Sequence, residues 1–159
     1  MTPAGGPDGP ELPAAYASLP RAEFAFPGPL RDRLVGAILD GSKTATTSLL
    51  REYGDEGEPV PEPGARSVLI DSAGEPVAVI ETAAVRVVPL AGVDAAHAVD
   101  EGEGHGSVAE WRAAHEEFWN SDAMRAELGD GGFEVDDATP VVLERFRVVE
   151  DLRRRLRPR

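Results

Sequence analysis

The chain has 159 residues, a formal net charge of −13 and no cysteine. A chain of this length forms one domain and buries a core without disulfides. The absence of thiols excludes a cysteine nucleophile, a disulfide framework and a thiolate zinc site. The acidity opposes binding to an extended phosphate backbone, because nonspecific affinity for nucleic acid comes mainly from neutralised phosphates.

The two ends of the chain differ in composition from the rest. Residues 1–20 are rich in proline, alanine and glycine, which predicts a disordered or loosely ordered segment. Residues 151–159 carry five arginines and one aspartate, which predicts a solvated basic tail. The domain itself is expected to span residues 21–150. No membrane-spanning run or leader pattern is recognisable, so we expect a cytoplasmic protein that does not contact a membrane.

The first half of the domain contains a clear helix. Residues 23–26 are expected to form a short strand or an ordering contact. Proline suits a first helical turn and glycine a helix end, so a helix is predicted from Pro29 to Gly41. Its apolar positions repeat at four-residue spacing: Leu30, Leu34 and Ile38. The acidic, proline-broken stretch 52–64 is predicted to be a loop.

The second half alternates strands and helices. Residues 67–71 and 77–88 are expected to pair as a β-hairpin. Residues 93–106 are predicted to form a short helix that runs into a glycine-rich acidic loop. Ser107 and Glu110 form a capping-box pattern that opens a helix bearing two tryptophans. A strand over 140–149 closes an α+β domain, whose sheet is expected to be a small, mostly antiparallel barrel.

Lys43 is the single lysine among sixteen basic residues. Wherever the chain needs only positive charge it uses arginine, so the identity of this side chain is expected to matter. A lysine, unlike an arginine, can lose its proton and act as a base when it is buried. Hydroxyl side chains surround it, as a nucleophile or a polar ligand site requires.

Several stretches in this order resemble the ASCH domain family. They are Phe24-Ala25-Phe26 before a helix, Gly-Ser-Lys-Thr-Ala-Thr-Thr-Ser-Leu-Leu after it, Val-Ala-Val-Ile-Glu-Thr, Glu-Gly-Glu-Gly, Trp-Arg-x-x-His and Pro-Val-Val-Leu-Glu-Arg-Phe. The resemblance implies a PUA-like fold, a small β-barrel with flanking helices around a cleft. It also implies a link to RNA. Some members hydrolyse the acetyl amide of N-acetylated cytidine, and others cut single-stranded RNA.

The resemblance assigns the catalytic residues of an amidohydrolase to Lys43, Thr46 and Glu101, with Glu103 as a competing position for the carboxylate. Threonine is too weak an acid to attack unaided, so the reaction needs a base. Either neutral Lys43 takes the proton, or Glu101 takes it while the Lys43 ammonium binds the oxyanion. The sequence leaves both alternatives open.

The segment Gly41-Ser42-Lys43-Thr44-Ala45-Thr46 is predicted to be a short loop after the helix. The leading functional hypothesis is a protein that binds a nucleobase, a modified nucleoside or RNA in a cleft around this loop, with hydrolysis of an N-acylated cytidine as its candidate chemistry. The alternatives are a noncatalytic RNA-binding module and a single-strand-specific ribonuclease. The residues predicted to contact the ligand are Thr44, Thr47, Ser48, Arg51, Tyr53 and Glu103.

No metal or other cofactor is predicted. The spacing of His97, His105 and His115 fits no compact zinc pattern. The acidic stretch from Asp100 to Glu103 resembles a set of ligands for a hard cation, but acidic glycine-rich loops are usually only solvated. His115 lies one helical turn from each tryptophan, so we expect it to be packed and hydrogen-bonded.

Overall fold

A computed structural model describes residues 14–56 and 59–153. Within these ranges the helices are α1 (Pro29–Asp40), α2 (Leu50–Glu56), α3 (Ala95–Asp100), α4 (Val108–Trp119) and α5 (Asp122–Leu128). The strands are β1 (Arg21–Ala22), β2 (Ala45–Leu49), β3 (Arg66–Ile70), β4 (Pro76–Pro89) and β5 (Pro140–Asp151). The expected N-terminal segment is described only from Ala14, and the basic tail only to Arg153. The remainder of both lies outside the described residues.

The strands form one sheet in the order β1-β3-β4-β5-β2. Every neighbouring pair is antiparallel except β1 with β3. The predicted α+β class and the mostly antiparallel sheet are therefore confirmed. The sheet remains open, with β1 and β2 at its edges. Because β1 has only two residues, it offers too few backbone hydrogen bonds to close the sheet on the other edge.

The two long central strands, β4 and β5, carry apolar clusters on both faces of the sheet. One cluster packs α4 and α5 against the sheet through Trp111, Trp119 and Met124. A second packs α1 against the sheet through Val35 and Ile38. Inside the segment expected to be loosely ordered, the half-buried side chains of Tyr16 and Leu19 pack against a third cluster. None of the helices in the described ranges is long and apolar enough to cross a membrane.

The predicted helix boundaries next to the lysine and before the tryptophans are confirmed. Gly41 follows α1 with a φ of 87° and takes the left-handed conformation that glycine tolerates. The Ser107 hydroxyl accepts a hydrogen bond from the Glu110 amide at 3.1 Å. The Glu110 carboxylate accepts the Gly106 amide at 2.6 Å, one residue before the position that a capping box predicts.

Two local expectations are corrected by the structure, and a third is settled between its alternatives. Residues 23–26 form no strand, since β1 ends at Ala22, but they make an ordering contact, because the Phe24 ring packs against Phe146. The segment after Lys43 is a strand from Ala45, because its threonines suit a pleated edge that pairs with β5. The predicted loop 52–64 begins inside α2, whose first turn is stabilised by the Glu52 carboxylate accepting the Leu49 amide at 2.8 Å. Helix α5, begun by a Ser121 cap, was not predicted.

Candidate functional site

Backbone contacts fix the loop that carries Lys43 on three sides. The Lys43 amide donates to the Ala37 carbonyl of α1 at 3.0 Å, and the Thr44 amide donates to the Asp100 carbonyl at the end of α3 at 2.9 Å. The Phe146 amide of β5 donates to the Thr44 carbonyl at 3.0 Å. The loop is thereby held between a helix, a second helix end and a strand, which leaves its side chains little freedom of position.

Gly102 brings the end of α3 directly against this loop. Its φ is +68°, and a Cβ built on it would lie 2.2 Å from the Ser42 carbonyl oxygen. No side chain fits at that distance, so the approach of the two segments requires glycine. The neighbouring Gly104 also has a positive φ, of +80°, but a Cβ there would meet nothing within 4 Å.

The Lys43 side chain is buried, with 2 % of its surface exposed. Its ammonium donates hydrogen bonds to the Ala45 carbonyl at 2.8 Å and to the Glu101 carbonyl at 3.2 Å. Carboxylate oxygens of Glu101 and Glu103 lie 3.6 Å and 3.8 Å from the same nitrogen. Both candidate carboxylates therefore face the ammonium, and its hydrogens are directed at protein acceptors.

Glu101 is the most heavily bonded carboxylate of this group and is 1 % exposed. Its Oε2 accepts the Thr47 hydroxyl at 2.9 Å and the indole N–H of Trp111. Its Oε1 lies 3.3 Å from Nε2 of His115. Burial by itself raises the pKa of Glu101, but the bond from His115 and the charges of His115 and Lys43 outweigh burial and lower the pKa to about 2. Glu101 is ionised at neutral pH.

His115 supplies a second positive charge. Its Nδ1 lies 2.8 Å from the Trp111 carbonyl, and its Nε2 faces the Glu101 carboxylate. Because both partners can only accept, both ring nitrogens carry hydrogen and the ring is an imidazolium. Burial lowers the pKa of His115, but bonding to Glu101 outweighs it and raises the pKa. The imidazolium also stacks on the Trp111 ring at a centroid distance of 4.2 Å.

The site thus contains two cations, Lys43 and His115, and two carboxylates, Glu101 and Glu103. We call these four residues the Lys43 cluster. The charges balance, which is the condition under which buried ions are tolerated. Lys43 and Glu101 form its buried floor, whereas Glu103 and His115 are half-buried and form its rim.

Thr47 and His97 extend the hydrogen-bond network at one side of the cluster. The Thr47 hydroxyl lies 2.8 Å from Nε2 of His97 and 2.9 Å from Oε2 of Glu101. An ionised carboxylate only accepts, so Thr47 donates to Glu101 and accepts from His97. Nδ1 of His97 is then a bare, buried acceptor without a partner among the described residues. Burial lowers the pKa of His97, which keeps the ring neutral.

Ligand atoms of Glu101, Glu103 and His115 lie within 4.8 Å of one another, a spacing that a metal ion would fit. The Lys43 ammonium, however, lies within 4 Å of an oxygen of each carboxylate. A divalent ion bound there would have to displace the ammonium and the proton of His115. The donor set therefore fits the internal cation better than a metal.

Thr46 lies on the opposite face of β2 from this cluster. Successive side chains of a strand point to opposite faces, and Thr47 is the residue that reaches Glu101. In the β2–β5 register Thr46 is paired with Glu144, and Ser48 is paired with Val142. Lys43, Glu101 and Thr47 are thus brought together, whereas Thr46 is directed elsewhere.

We call Thr46, Ser48, Thr82 and Glu144 the Glu144 face. Thr82 is buried and donates its hydroxyl to Oε2 of Glu144 at 2.7 Å. The Tyr53 hydroxyl donates to Ser48 at 3.3 Å, so α2 flanks the same face. Burial raises the pKa of Glu144, opposed only by the bond from Thr82. Two of the predicted contact residues, Ser48 and Tyr53, therefore lie here rather than at the Lys43 cluster.

Glu144, Thr82 and His97 had no predicted role at a site. One signal for Glu144 was present in the sequence, because this acidic residue stands between the apolar Val142 and Phe146 at strand spacing and therefore on the same face. In the structure both apolar residues are buried. Thr82 and His97 carried no signal, since their roles depend on which strand and helix they meet in space.

The two remaining residues predicted to contact the ligand, Thr44 and Arg51, make contacts within the protein. The Thr44 hydroxyl faces the Asp100 carbonyl at 3.4 Å. The Arg51 guanidinium pairs with Asp130 at 2.8 Å and lies over the Phe133 ring, 5.2 Å from its centroid. Neither residue belongs to the Lys43 cluster or to the Glu144 face.

A surface depression of about 330 Å³ lies behind the lysine loop, between the end of α1 and β5. Lys43 and Thr44 contribute to its lining together with Phe146 and Val148. Lys43 is the member of the Lys43 cluster that lines it, and Glu101, Glu103 and His115 lie outside this depression.

Comparison with known protein families matches residues 23–150 to the ASCH domain. The chain belongs to the ASCH domain family. Two solved structures are similar along most of its length. An ASCH domain from Lactobacillus crispatus JV V101 is 32 % identical over 86 % of this chain and 82 % of that one, with a TM-score of 0.72. Protein EF3133 from Enterococcus faecalis V583 is 28 % identical over 77 % and 71 %, with a TM-score of 0.66.

The comparison with curated proteins gave no match. The ASCH fold is consistent with a domain that binds RNA or a nucleoside, and the resemblance inferred from the sequence is confirmed at the level of family and fold.

Proposed function

We propose that this ASCH protein binds a nucleobase or a modified nucleoside at the rim of the Lys43 cluster. The observation that carries the proposal is the combination of groups on that rim. Thr47, Glu103 and His115 are all half-buried, so a hydroxyl, a carboxylate and an imidazolium lie together at one partly accessible edge. A base edge presents donors and acceptors side by side, so a rim with both suits it better than a rim of one charge.

The charge of the chain favours a single nucleoside over an extended RNA strand. The formal net charge is −13, and both carboxylates of the cluster are already neutralised by internal cations. A polyanion needs a continuous basic path to release its counterions. A nucleoside carries no phosphate, so the negative charge of the protein does not repel it.

A titration followed by NMR tests the proposal, with cytidine, N-acetylated cytidine and a single-stranded RNA oligonucleotide at low and high salt. We expect saturable shifts for a nucleoside at Thr47, Glu103 and His115 that do not depend on salt. Glu103→Gln should weaken binding, whereas Glu134→Gln, at an exposed position, should not. Binding of the oligonucleotide alone, lost at high salt, would favour the RNA-binding module instead.

Hydrolysis of an N-acylated cytidine is the second candidate, supported by one observation. The Thr47 hydroxyl accepts a hydrogen bond from the neutral imidazole of His97 at 2.8 Å and donates to the ionised carboxylate of Glu101 at 2.9 Å, so Glu101 is the group placed to take its proton. The family resemblance assigns the nucleophile to Thr46, but the geometry favours Thr47. Lys43, held on two carbonyls, would then act as a fixed donor rather than as the base.

Product formation from N-acetylated cytidine distinguishes these assignments. If Thr47 attacks, Thr47→Ala stops turnover and Thr46→Ala leaves it nearly unchanged, and the reverse result restores Thr46 as the nucleophile. Binding without product in the wild type removes the hydrolase candidate and leaves the nucleoside-binding proposal intact. Shortened oligonucleotide in the same incubation would support the ribonuclease alternative.

A further inference from the structure

The Glu144 face combines a half-buried carboxylate with two strand hydroxyls and has no cation of its own. Side chains directly opposite on antiparallel strands lie about 5 Å apart at Cβ, so the Thr46 hydroxyl is a neighbour of the Glu144 carboxylate. Ser48 continues the row two residues further along β2. Thr46, Ser48 and Glu144 are all half-buried and so reach both the protein and solvent.

Among the described residues, the arginines nearest to Glu144 form ion pairs elsewhere. Arg145, next to Glu144 in sequence, points to the other face and pairs with Asp100. Arg147 and Arg66 both pair with Glu81. Among the described residues no basic side chain forms an ion pair with Glu144 or shifts its pKa, so its charge is uncompensated.

Only one carboxylate oxygen of Glu144 is satisfied by the protein. Oε2 accepts the Thr82 hydroxyl, which also fixes the orientation of the carboxyl group. No described residue donates to Oε1. The adjacent apolar surface is supplied by Val87, which pairs with the buried Val142 and is 50 % exposed.

We propose that the Glu144 face binds a compact organic cation with N–H donors, such as a protonated amine or an amidinium, through Oε1 of Glu144 and the hydroxyls of Thr46 and Ser48. The carboxylate provides charge and an acceptor, and the hydroxyls provide further acceptors for the remaining N–H groups. Val87 contacts the apolar part of the ligand. This site lies on the opposite side of β2 from the Lys43 cluster, so it does not depend on the proposed nucleoside site.

The test uses benzamidinium as the probe, with benzamide as the neutral isostere and tetramethylammonium as a cation without N–H donors. We expect saturable NMR shifts at Thr46 and Glu144 for benzamidinium only. Glu144→Gln should weaken binding about ten- to hundredfold, the loss typical of a charge-assisted hydrogen bond. Thr46→Val should weaken it less, and Glu134→Gln should leave it unchanged.

The stability of the free protein provides an independent measurement. Because Glu144→Gln removes an uncompensated charge and keeps an acceptor for Thr82, it should raise the Tm by about 2–4 °C without ligand. A lower Tm would show that the carboxylate is already compensated and would overturn the proposal. Equal binding of benzamide or tetramethylammonium, shifts confined to Glu103 and His115, or undiminished binding by Glu144→Gln would also overturn it.

Discussion

On each face of β2 a threonine lies beside a glutamate, but the surroundings of the two glutamates differ. On one face Thr47 meets Glu101, whose charge is balanced by two buried cations and whose pKa is lowered to about 2. On the other face Thr46 neighbours Glu144, which has a raised pKa and no cationic partner among the described residues. The carboxylate beside the threonine is therefore balanced by cations of the protein on one face and is not balanced on the other.

The difference follows from which elements cover each face. Helices α3 and α4 bring His97, Trp111 and His115 onto the face of Thr47, and the lysine loop closes it from the side. On the Glu144 face, the Tyr53 hydroxyl of α2 donates to Ser48 and the Thr82 hydroxyl of β4 donates to Glu144. Packing thus brings cations to the carboxylate on one side, whereas on the other side it brings hydroxyl groups.

The largest effect is expected from Lys43→Met, which removes the ammonium and keeps the bulk of the side chain. Glu101 would then be a buried carboxylate that has lost its lysine partner, and such a change costs about 3–5 kcal/mol. Urea denaturation at neutral pH measures the loss. The matched change Arg51→Met removes a partly exposed cation that pairs with Asp130 near the surface and should cost much less. A loss below about 1 kcal/mol for Lys43→Met would mean that the cluster is not a balanced unit.

The acid limb of the stability curve separates the two carboxylates. The folded pKa of Glu101 is about 2 and its unfolded value about 4.5, so its contribution is present above pH 4.5 and is lost as the pH falls towards 2. The shift corresponds to on the order of 3 kcal/mol. Glu144 has the opposite sign: its raised folded pKa adds stability as the pH falls and the group becomes protonated. Unfolding measured from pH 6 to pH 2 should give a flatter profile for Glu101→Gln and a steeper one for Glu144→Gln.

Two glycine variants test how closely the end of α3 must approach the loop that carries Lys43. Gly102→Ala should cost about 2–4 kcal/mol, because the added methyl group meets the Ser42 carbonyl and the left-handed φ is strained. Gly104→Ala should cost only about 1 kcal/mol for the same backbone strain in open space. Thermal denaturation compares the stabilities of the two variants. Equal losses of stability would show that the lysine loop can move away from α3 at little cost.

The sequence predicted the family, the α+β class and most element boundaries, because these depend on local signals. Pro29 and Gly41 mark the ends of one helix, and Ser107 begins another. The single lysine pointed to Lys43, and the family resemblance pointed to Glu101, whose carboxylate lies 3.6 Å from the ammonium. The side chain of Thr46 was beyond reach of such reasoning, because the segment was predicted to be a loop. Side chains do not alternate between two faces in a loop as they do in a strand. Only the pairing of β2 with β5 shows that Thr46 and Thr47 point to opposite faces of the sheet.

The smallest effect, and the most direct comparison, comes from substituting these two neighbouring threonines by valine. Valine keeps the branched shape and the strand propensity, so the change removes little more than the hydroxyl. Thr47→Val takes a hydrogen bond from buried Glu101 and a partner from His97, which should cost about 1–3 kcal/mol. Thr46→Val removes a half-buried hydroxyl outside that network and should stay within about 0.5 kcal/mol of the wild type. Urea denaturation of both proteins at pH 7 measures the difference, and the two losses should differ because adjacent residues of one strand serve two separate faces. If Thr46→Val proved as costly as Thr47→Val, the Glu144 face would be a closed network as well, and no ligand would be needed to complete it.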